Sequence, residues 1–157
     1  RDRKRVLLGL EVYLETGETI TTRNGRTQEQ PPRFTPLWLG LDYENRDTLY
    51  NRINRRVDLM LERGLLEEIR QLLAEGLSPK ATSMQAIGYK EFVAVLEGRR
   101  SLAEAAEEVK QSSRRYAKRQ LTWFRRNKEI HWLSRKDTWE DGEIFRLARQ
   151  IIQEIDK

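Results

Sequence analysis

The sequence predicts a mostly α-helical chain that contains one short buried β-strand. Apolar residues recur at helical spacing in most segments of the 157 residues. The exception is Leu37–Leu41, a continuous apolar run of strand length, which is typical of a strand covered on both faces. His131–Leu133 fits a short edge strand. Because a strand cannot satisfy its own backbone hydrogen bonds, we expect most neighbours of Leu37–Leu41 to lie outside this chain.

The composition excludes several classes of site and favours an anionic partner. The chain carries 30 Lys and Arg against 25 Asp and Glu, a formal net charge of +5, and it contains no Cys. Disulfides, thiolate nucleophiles and Cys-based zinc sites are therefore excluded, and a cytoplasmic location fits. No apolar run reaches the roughly 18–20 residues of a membrane span, so no membrane partner is expected. A charge excess of this size also occurs in proteins that bind nothing anionic.

The N-terminal part reads as one helix followed by a linker. The chain opens with Arg1–Arg3 rather than with Met and enters a helical pattern at once, so we expect a segment to precede it. The helix is predicted over Asp2–Thr16, with Gly17 as its stop. Glu18–Pro36 is polar and is predicted to be a linker with a turn at Asn24–Gly25.

Five further helices are predicted after the strand. Gly64 and Gly76 suit the ends of the first two, because glycine readily adopts the left-handed conformation that closes a helix. Around Gly88 the backbone is expected to bend. Ser101–Glu104 has the form of a capping box and begins the longest helix. The predicted helices are Arg46–Arg63, Leu65–Glu75, Tyr89–Leu96, Ser101–Arg126 and Glu140–Ile155.

The longest helix carries an uninterrupted cationic segment. Lys110–Lys128 contains eight Lys or Arg and no Asp or Glu. A rotation of about 100° per residue separates two faces. The face expected to be buried comprises Val109, Ser113, Tyr116, Ala117, Gln120, Leu121, Trp123 and Phe124. The face expected to be exposed comprises Gln111, Arg114, Arg115, Lys118, Arg119, Thr122, Arg125 and Arg126.

This cationic face is either a solvated surface or a binding surface for phosphates. The helix dipole stabilises cations only in the last turn, by about 0.3–1 kcal/mol, and does not explain Arg114, Arg115 and Lys118 deeper in the helix. Like charges one turn apart repel each other by a few tenths of a kcal/mol. Phosphate binding accounts for the pattern, so the sequence favours a nucleic-acid partner over a merely solvated face.

Arginines are also concentrated on the two helices that follow the strand. Arg52 and Arg56 share a face one turn apart, and paired guanidinium groups suit phosphate or diphosphate. The other arginines of this set are Arg55, Arg63 and Arg70. The alternative is ordinary surface ion pairing, for which the available carboxylates are Asp58, Glu62, Glu67 and Glu68.

The segment Ser83–Lys90 combines several groups that can recognise a nucleotide. It holds the amide of Gln85, a bend at Gly88, the ring of Tyr89 and the cation of Lys90. Such a set can contact the edge of a base, stack on it and hold its phosphate. On composition alone, the segment is an ordinary corner between two helices.

Motifs for metal binding and catalysis are absent from the sequence. His131 is the only histidine, and without Cys or suitably spaced carboxylates it is expected to be structural, so no metal site is predicted. There is no phosphate-binding glycine loop, no dinucleotide-binding glycine motif and no Ser/His/Asp set. From the residues alone, the chain is a mostly helical nucleic-acid-binding fragment.

Three ordered motifs resemble the tRNA dimethylallyltransferase (tRNA isopentenyltransferase) family. Shorter similarities lie at Arg52–Val57 and Gly64–Glu68, and the resemblance spans about Lys4–Leu133. The motifs are Lys4-Arg5-Val6 with Leu10-Glu11-Val12 and Thr16-Gly17, then Ser83-Met84-Gln85-Ala86-Ile87-Gly88-Tyr89-Lys90-Glu91, and Arg114-Arg115-Tyr116-Ala117-Lys118-Arg119-Gln120-Leu121-Thr122-Trp123-Phe124-Arg125.

The resemblance implies an enzyme of tRNA modification. Members of this family transfer a dimethylallyl group from dimethylallyl diphosphate to N6 of the adenosine 3′-adjacent to the anticodon, with Mg²⁺ as cofactor. Their α/β fold is P-loop NTPase-like, a parallel sheet with a helical insertion domain. On this basis, residues 1–34 are the end of the insertion domain and a linker, and residues 35–157 are the C-terminal part of the core with its tRNA-binding helices. A monomer is expected.

The resemblance also implies which residues contact the substrates. The general base, an Asp, and the phosphate-binding loop are expected upstream, so no catalytic residue is assigned here and the chain alone is expected to be inactive. Arg52, Arg56 and Arg70 are candidates for diphosphate contacts. The residues assigned to the tRNA anticodon stem-loop are Lys4, Arg5, Val6, Leu7, Leu8, Gln85, Ala86, Ile87, Gly88, Tyr89, Lys90, Arg114, Arg115, Lys118, Arg119, Gln120, Leu121, Thr122, Trp123, Phe124 and Arg125.

One departure from the family pattern and two alternative functions stay open at this point. Leu8 stands where the family has a second Arg in the first helix, which puts one expected contact in doubt. An adenylate isopentenyltransferase acting on a free nucleotide is one alternative, although a long cationic face has no use for so small a substrate. A non-catalytic helical RNA-binding module is the other, although an independent domain would pair the strand at Leu37–Leu41.

Overall fold

The computed structural model describes residues 2–29, 31, 33–138 and 141–155. The prediction of a mostly α-helical chain is confirmed. In chain order the elements are α1 (Arg3–Thr16), α2 (Ile20–Glu29), β1 (Trp38–Tyr43), α3 (Arg46–Glu62), α4 (Leu65–Ala74), a short 3₁₀ turn (Thr82–Gln85), α5 (Lys90–Leu96), α6 (Leu102–Phe124), β2 (Ile130–Arg135) and α7 (Asp141–Ile155). The predicted start of the last helix at Glu140 lies outside the described residues.

The chain divides into two units between Pro36 and Leu37, two residues beyond the boundary drawn from the sequence. The N-terminal unit is a pair of helices, α1 and α2. The side chain of Asp2 accepts a hydrogen bond from the Arg5 N–H at 3.4 Å and so caps α1. Gly17, with φ of 70°, ends the helix as predicted.

The helix α2 contradicts the prediction of a linker over this stretch. The hydroxyl of Thr19 accepts a hydrogen bond from the Thr22 N–H at 3.1 Å and caps the new helix, and Arg26 pairs with Glu18 across its first two turns. The predicted turn at Asn24–Gly25 lies inside the helix. Weak helix formers are tolerated there because α2 packs against α1, and tertiary contact overrides local propensity.

The second unit contains a parallel pair of strands, β1 and β2. Their register runs from Trp38 opposite Ile130 to Tyr43 opposite Arg135. Both predicted strands are confirmed, and each is longer than the sequence indicated. The chain therefore supplies one neighbour for β1, and β2 is the only strand that pairs with it in the described part of the chain.

The sequence predicted a strand covered on both faces. In the part of the chain that is described, the sheet is not covered in this way, so that prediction is wrong for the described residues. Trp38, Leu39 and Leu41 all remain half-exposed. Strands in parallel sheets are normally covered on both faces, so apolar exposure of this kind is unusual for a parallel pair.

Four helices, α3 to α6, lie between the two strands and enclose the core. Phe92, Ile69, Met84 and Val109 are its fully buried large side chains. One comes from each of α5, α4, the 3₁₀ turn and α6, which is why these elements hold together. Around them pack the other buried residues of the cluster, Val57, Leu65, Val93, Ala105 and Ala106.

The predicted helix signals act as expected in this unit. Gly64 and Gly76 have φ of 96° and 92° and follow α3 and α4 closely. Ser101 and Glu104 form the predicted capping box, with Ser101 N–H donating to Glu104 Oε2 at 3.0 Å. The hydrogen bonds with Ser101 hold the pKa of Glu104 below its ordinary value. No described helix has the length and hydrophobicity required to cross a lipid bilayer.

We expect Gly40→Ala to lower the free energy of unfolding by about 1–3 kcal/mol, because overpacking a closed site displaces its neighbours. A Cβ at this position would lie 2.7 Å from Ile130 Cγ2 and 2.8 Å from Trp132 Cε3. Gly142→Ala is the matched control, since a Cβ there meets nothing within 4 Å. Urea unfolding measures both variants, and equal stabilities would show that β1 and β2 are not packed this closely.

Candidate nucleic-acid interface

The C-terminal half of α6 and the two residues that follow it present a group of exposed cations, the free cations of α6. Arg115, Lys118, Arg119 and Arg126 are exposed, and none of them forms an ion pair with another described residue. Four of the side chains here, those of Lys118, Arg119, Thr122 and Arg126, join Trp123 around a shallow groove of about 340 Å³. A groove lined by unpaired cations suits an anionic ligand.

An exposed indole lies beside these cations. Trp123 is 64% exposed, and its ring stands edge-on to Phe124 with 5.0 Å between the ring centroids. The helical projection placed Tyr116, Gln120, Trp123 and Phe124 on the buried face, and for all four residues that placement is wrong because they are exposed. The buried residues of α6, Ala105, Ala106 and Val109, all lie in its first half.

Two of the predicted cationic residues make hydrogen bonds within the second unit. Arg114 donates to Asn54 Oδ1 at 2.5 Å and to Glu107 Oε1 at 3.2 Å, and its side chain is only 23% exposed. Arg125 donates to Oδ2 of the buried Asp42 at 2.7 Å. These contacts fasten the middle of α6 to α3 and the residue that follows α6 to β1.

The segment Gln85–Lys90 forms the predicted bend in front of α5. Gly88 is buried with φ of 97°, a left-handed conformation that side-chain-bearing residues rarely adopt. The amide nitrogen of Gln85 donates to the Pro79 carbonyl at 2.9 Å, which leaves its oxygen available. Gln85, Ala86 and Lys90 are exposed at the surface of this bend, and Ile87 is half-buried.

Tyr89 is held by the neighbouring helix. Its hydroxyl donates a hydrogen bond to Glu68 on α4. That bond, together with burial and the charge of Glu68, raises the pKa of Tyr89 above its ordinary value. A half-buried ring with a fixed hydroxyl is a rigid surface for stacking.

Glu91 is a residue of this bend to which the sequence assigned no role. Its Oε2 accepts a hydrogen bond from the Gly88 N–H at 2.9 Å, and its side chain is 2% exposed. A carboxylate three residues after a glycine that begins a helix is the only local signal for this contact, because burial of the side chain depends on the surrounding helices.

Four arginines line one groove on α3. The groove measures about 750 Å³, and its cationic residues are Arg52, Arg55, Arg56 and Arg63. Arg52 also lies over the ring of Tyr43, with 5.6 Å between Cζ and the ring centroid. None of the four is ion-paired to another described residue, so the sequence's alternative of ordinary surface pairing does not hold for them.

Arg70 lies apart from this groove. It sits on α4 and forms an ion pair with Glu67 one turn earlier. Two of the other acidic candidates are also engaged, since Asp58 contacts Lys110 Nζ at 2.6 Å and Glu68 accepts from Tyr89. Arg70 therefore takes part in ordinary surface ion pairing, whereas Arg52 and Arg56 line the groove on α3 without an ion pair to another described residue.

The first predicted contact segment, Lys4–Leu8, lies on α1 of the N-terminal unit. All five of its residues, including Arg5, Val6 and Leu7, are exposed within that unit. Leu8 faces a groove of about 650 Å³ between α1 and α2, together with Val12 and Ile20. An aliphatic side chain at this position offers no charge to an anion, and the assignment of Leu8 to tRNA stays a prediction.

No group of three or more His, Cys, Asp or Glu side chains is placed to hold a metal ion in the described ranges. His131 lies on β2, opposite Leu39. A magnesium ion needs several oxygen ligands from carboxylates, phosphates or water, and these described residues do not provide a protein site of that kind.

Comparison with known proteins places these features in a family. Residues 1–127 match the family model described as IPP transferase. The chain belongs to the IPP transferase family. The family membership that three motifs predicted is thereby confirmed.

Relatives of this IPP transferase chain have consistent names. A tRNA dimethylallyltransferase of Pelotomaculum thermopropionicum is 50% identical over 97% of this chain and 46% of its own length. The tRNA dimethylallyltransferase of Acetivibrio thermocellus is 41% identical over 95% of this chain and 47% of its own length. This chain thus spans about half the length of the curated relatives it matches.

Solved structures agree in fold. The full-length tRNA isopentenylpyrophosphate transferase of Bacillus halodurans matches with a TM-score of 0.72 and 40% identity, over 83% of this chain and 43% of that one. The corresponding protein of Staphylococcus epidermidis matches with a TM-score of 0.68 and 41% identity, over 97% of this chain and 49% of that one.

Neighbouring arginines on α6 should differ in their effect on stability. Arg114→Met should lower the free energy of unfolding by about 1–2 kcal/mol, because it leaves the hydrogen bonds of Asn54 and Glu107 unmade. Arg115→Met should change stability by less than about 0.5 kcal/mol, because Arg115 is exposed. Chemical denaturation of both variants tests this, and an equal loss in the two would contradict the assigned roles.

Proposed function

We propose that this chain is the tRNA-binding half of a tRNA dimethylallyltransferase. The reaction proposed is transfer of a dimethylallyl group from dimethylallyl diphosphate to N6 of the tRNA adenosine 3′-adjacent to the anticodon, giving N6-isopentenyladenosine and diphosphate. The observation that carries the proposal is the exposed cationic groove of α6, in a chain whose relatives are named tRNA dimethylallyltransferases. The proposed enzyme is a cytoplasmic monomer.

The anticodon stem-loop is the proposed ligand of the α6 groove. A target adenosine in a stacked loop must leave its stack before N6 can react, which costs a few kcal/mol. Phosphate contacts from Lys118, Arg119 and Arg126 and stacking on Trp123 would offset that cost, because base–aromatic stacking is worth about 1–3 kcal/mol per base. The Gln85–Lys90 bend would supply further contacts.

The diphosphate is proposed to contact α3. Arg52 and Arg56 share the arginine groove, and Arg52 stands beside Tyr43 at the end of β1. Ligands of open α/β sheets bind outside the carboxyl ends of the strands, which is where Arg52 lies. Arg70 is the weakest of the three candidates, because Glu67 already balances its charge.

The remaining parts of the active site are proposed to lie in the half of the relatives' length that this chain does not span. They are the phosphate-binding loop, the general base and the ligands of Mg²⁺. In a complete enzyme with a P-loop-like sheet, further parallel strands would pair with the edge of this sheet, and helices on its two faces would cover the apolar side chains of β1 and β2. The chain alone is expected to bind tRNA without modifying it.

The test is a prenyl-transfer assay on the complete enzyme, meaning this chain together with the half that it does not span. Radiolabelled dimethylallyl diphosphate should label tRNA whose anticodon is followed by adenosine, and the same tRNA with guanosine there should stay unlabelled. Labelling of free adenosine monophosphate in place of tRNA would indicate an adenylate isopentenyltransferase. Tight tRNA binding without any transfer would indicate a non-catalytic RNA-binding protein.

Binding to tRNA should depend on salt through the free cations of α6. Four phosphate contacts predict that log affinity falls with log salt at a slope of about −3 to −4, and Lys118→Glu should weaken binding and flatten the slope by about one. Arg149→Glu is the control, because this substitution changes the charge by the same amount on α7, whose residues do not line the groove. Equal effects of the two variants would mean that binding follows net charge alone.

Gly88→Ala should reduce activity as well as stability. The left-handed φ disfavours alanine by about 1–2 kcal/mol, whereas space is available, since a Cβ would meet Val109 only at 3.9 Å. Gly98→Ala is matched, because Gly98 also has a left-handed φ, of 70°, and lies after α5. Both variants should lose similar stability in thermal unfolding, and only Gly88→Ala should lose prenyl transfer. Equal activities would show that the bend is not needed.

A further inference from the structure

A buried carboxylate lies behind the Gln85–Lys90 bend. Glu91 stands in the first turn of α5, and its Oε2 receives the Gly88 N–H at 2.9 Å. Its Oε1 is also buried and has no hydrogen-bond partner within the described ranges. The ammonium of Lys90 lies 3.6 Å from this second oxygen, and the Lys90 side chain is 49% exposed.

The two carboxylate oxygens of Glu91 make different contacts, and only one of these contacts requires a negative charge. An acceptor for the Gly88 N–H is needed at the bend, and the amide oxygen of a glutamine would serve equally well. A negative charge is not needed for that bond, and burying one is unfavourable unless a cation compensates it. The contact with Lys90 is the described interaction that uses the charge.

The position of Lys90 gives this contact a consequence for binding. A lysine side chain has several rotatable bonds, and ordering it on binding costs conformational entropy. Glu91 restricts the ammonium to one side of the bend before any ligand arrives, while half of the side chain stays open to solvent. A cation held in this way binds a phosphate with less loss of entropy than a freely moving one.

We propose that Glu91 is a positioning residue for tRNA binding, which orients Lys90 toward an RNA phosphate while it holds the Gly88 bend. The inference rests on the proposed function, since Lys90 is assigned to tRNA there. Glu91 itself does not touch the ligand. It acts through the ammonium of Lys90 and through the backbone of Gly88.

The experiment uses the complete enzyme with Glu91→Gln, Lys90→Met and both together. Glu91→Gln keeps an acceptor for Gly88 and removes the charge, so the melting temperature should stay near that of the parent. The dissociation constant and KM for tRNA should rise roughly two- to fivefold, the range expected for one partly exposed ion pair, with kcat unchanged. In the Lys90→Met background, Glu91→Gln should have no further effect.

Three results would overturn the inference. Unchanged tRNA affinity in Glu91→Gln would reduce Glu91 to a helix cap, and tighter binding would mean that the carboxylate merely neutralises Lys90. Effects of the two substitutions that multiply in the double variant would mean that Glu91 does not act through Lys90. If Glu91→Gln unfolds, Glu91→Asp takes its place. Aspartate keeps the negative charge, but its side chain is shorter and its carboxylate lies farther from Lys90. It must therefore weaken tRNA binding in the parent and have no further effect in the Lys90→Met background.

A matched control separates this inference from the function on which it depends. Glu97→Gln removes one carboxylate at the other end of α5, where Glu97 pairs with Arg99 on the surface, and should leave tRNA affinity unchanged. The parent enzyme must first transfer the dimethylallyl group to tRNA. Failure of that assay refutes the proposed function, whereas normal transfer with no response to Glu91→Gln refutes only the role of Glu91.

Discussion

The packing of α6 against α3 is the interaction on which the rest of the second unit depends. Val109 of α6 and Val57 of α3 are both buried in the core. Beside them, Arg114 donates a hydrogen bond to Asn54, and Lys110 forms an ion pair with Asp58. The buried residues of α6, Ala105, Ala106 and Val109, all lie in its first half, whereas none lies in its second half. As a result, a single amphipathic helix has a structural half and an exposed cationic half.

Hydrogen bonds within the second unit determine which cations are available to a ligand. The charge of a guanidinium that already donates to a carboxylate is partly balanced, and this is the situation of Arg114, beside Glu107, and of Arg125, beside Asp42. Arg115 and Lys118 point away from both neighbours and keep their full hydrogen-bonding capacity. Charge counted along the helix therefore overstates the number of binding groups.

The bend before α5 shows how a flexible-looking corner is made rigid. Gly88 supplies the left-handed backbone, Glu91 receives its N–H, and Tyr89 is tied to Glu68 on α4. Each of these bonds joins the bend to a packed helix. Groups that would meet a nucleotide are thus fixed before binding, which lowers the entropic cost of recognition.

The sequence by itself determined the helix ends, both strands and the family. These depend on local signals, such as the Ser101–Glu104 capping box, the left-handed glycines and long ordered motifs, which act over a few residues. Only the tertiary structure decided that residues 20–29 form a helix, that Arg125 binds Asp42 and that Glu91 is buried. Asp42 and Arg125 are 83 residues apart, and periodicity along one helix carries no information on which distant group it meets. A cation's role is set by that partner, so it follows from packing and not from the pattern of charge.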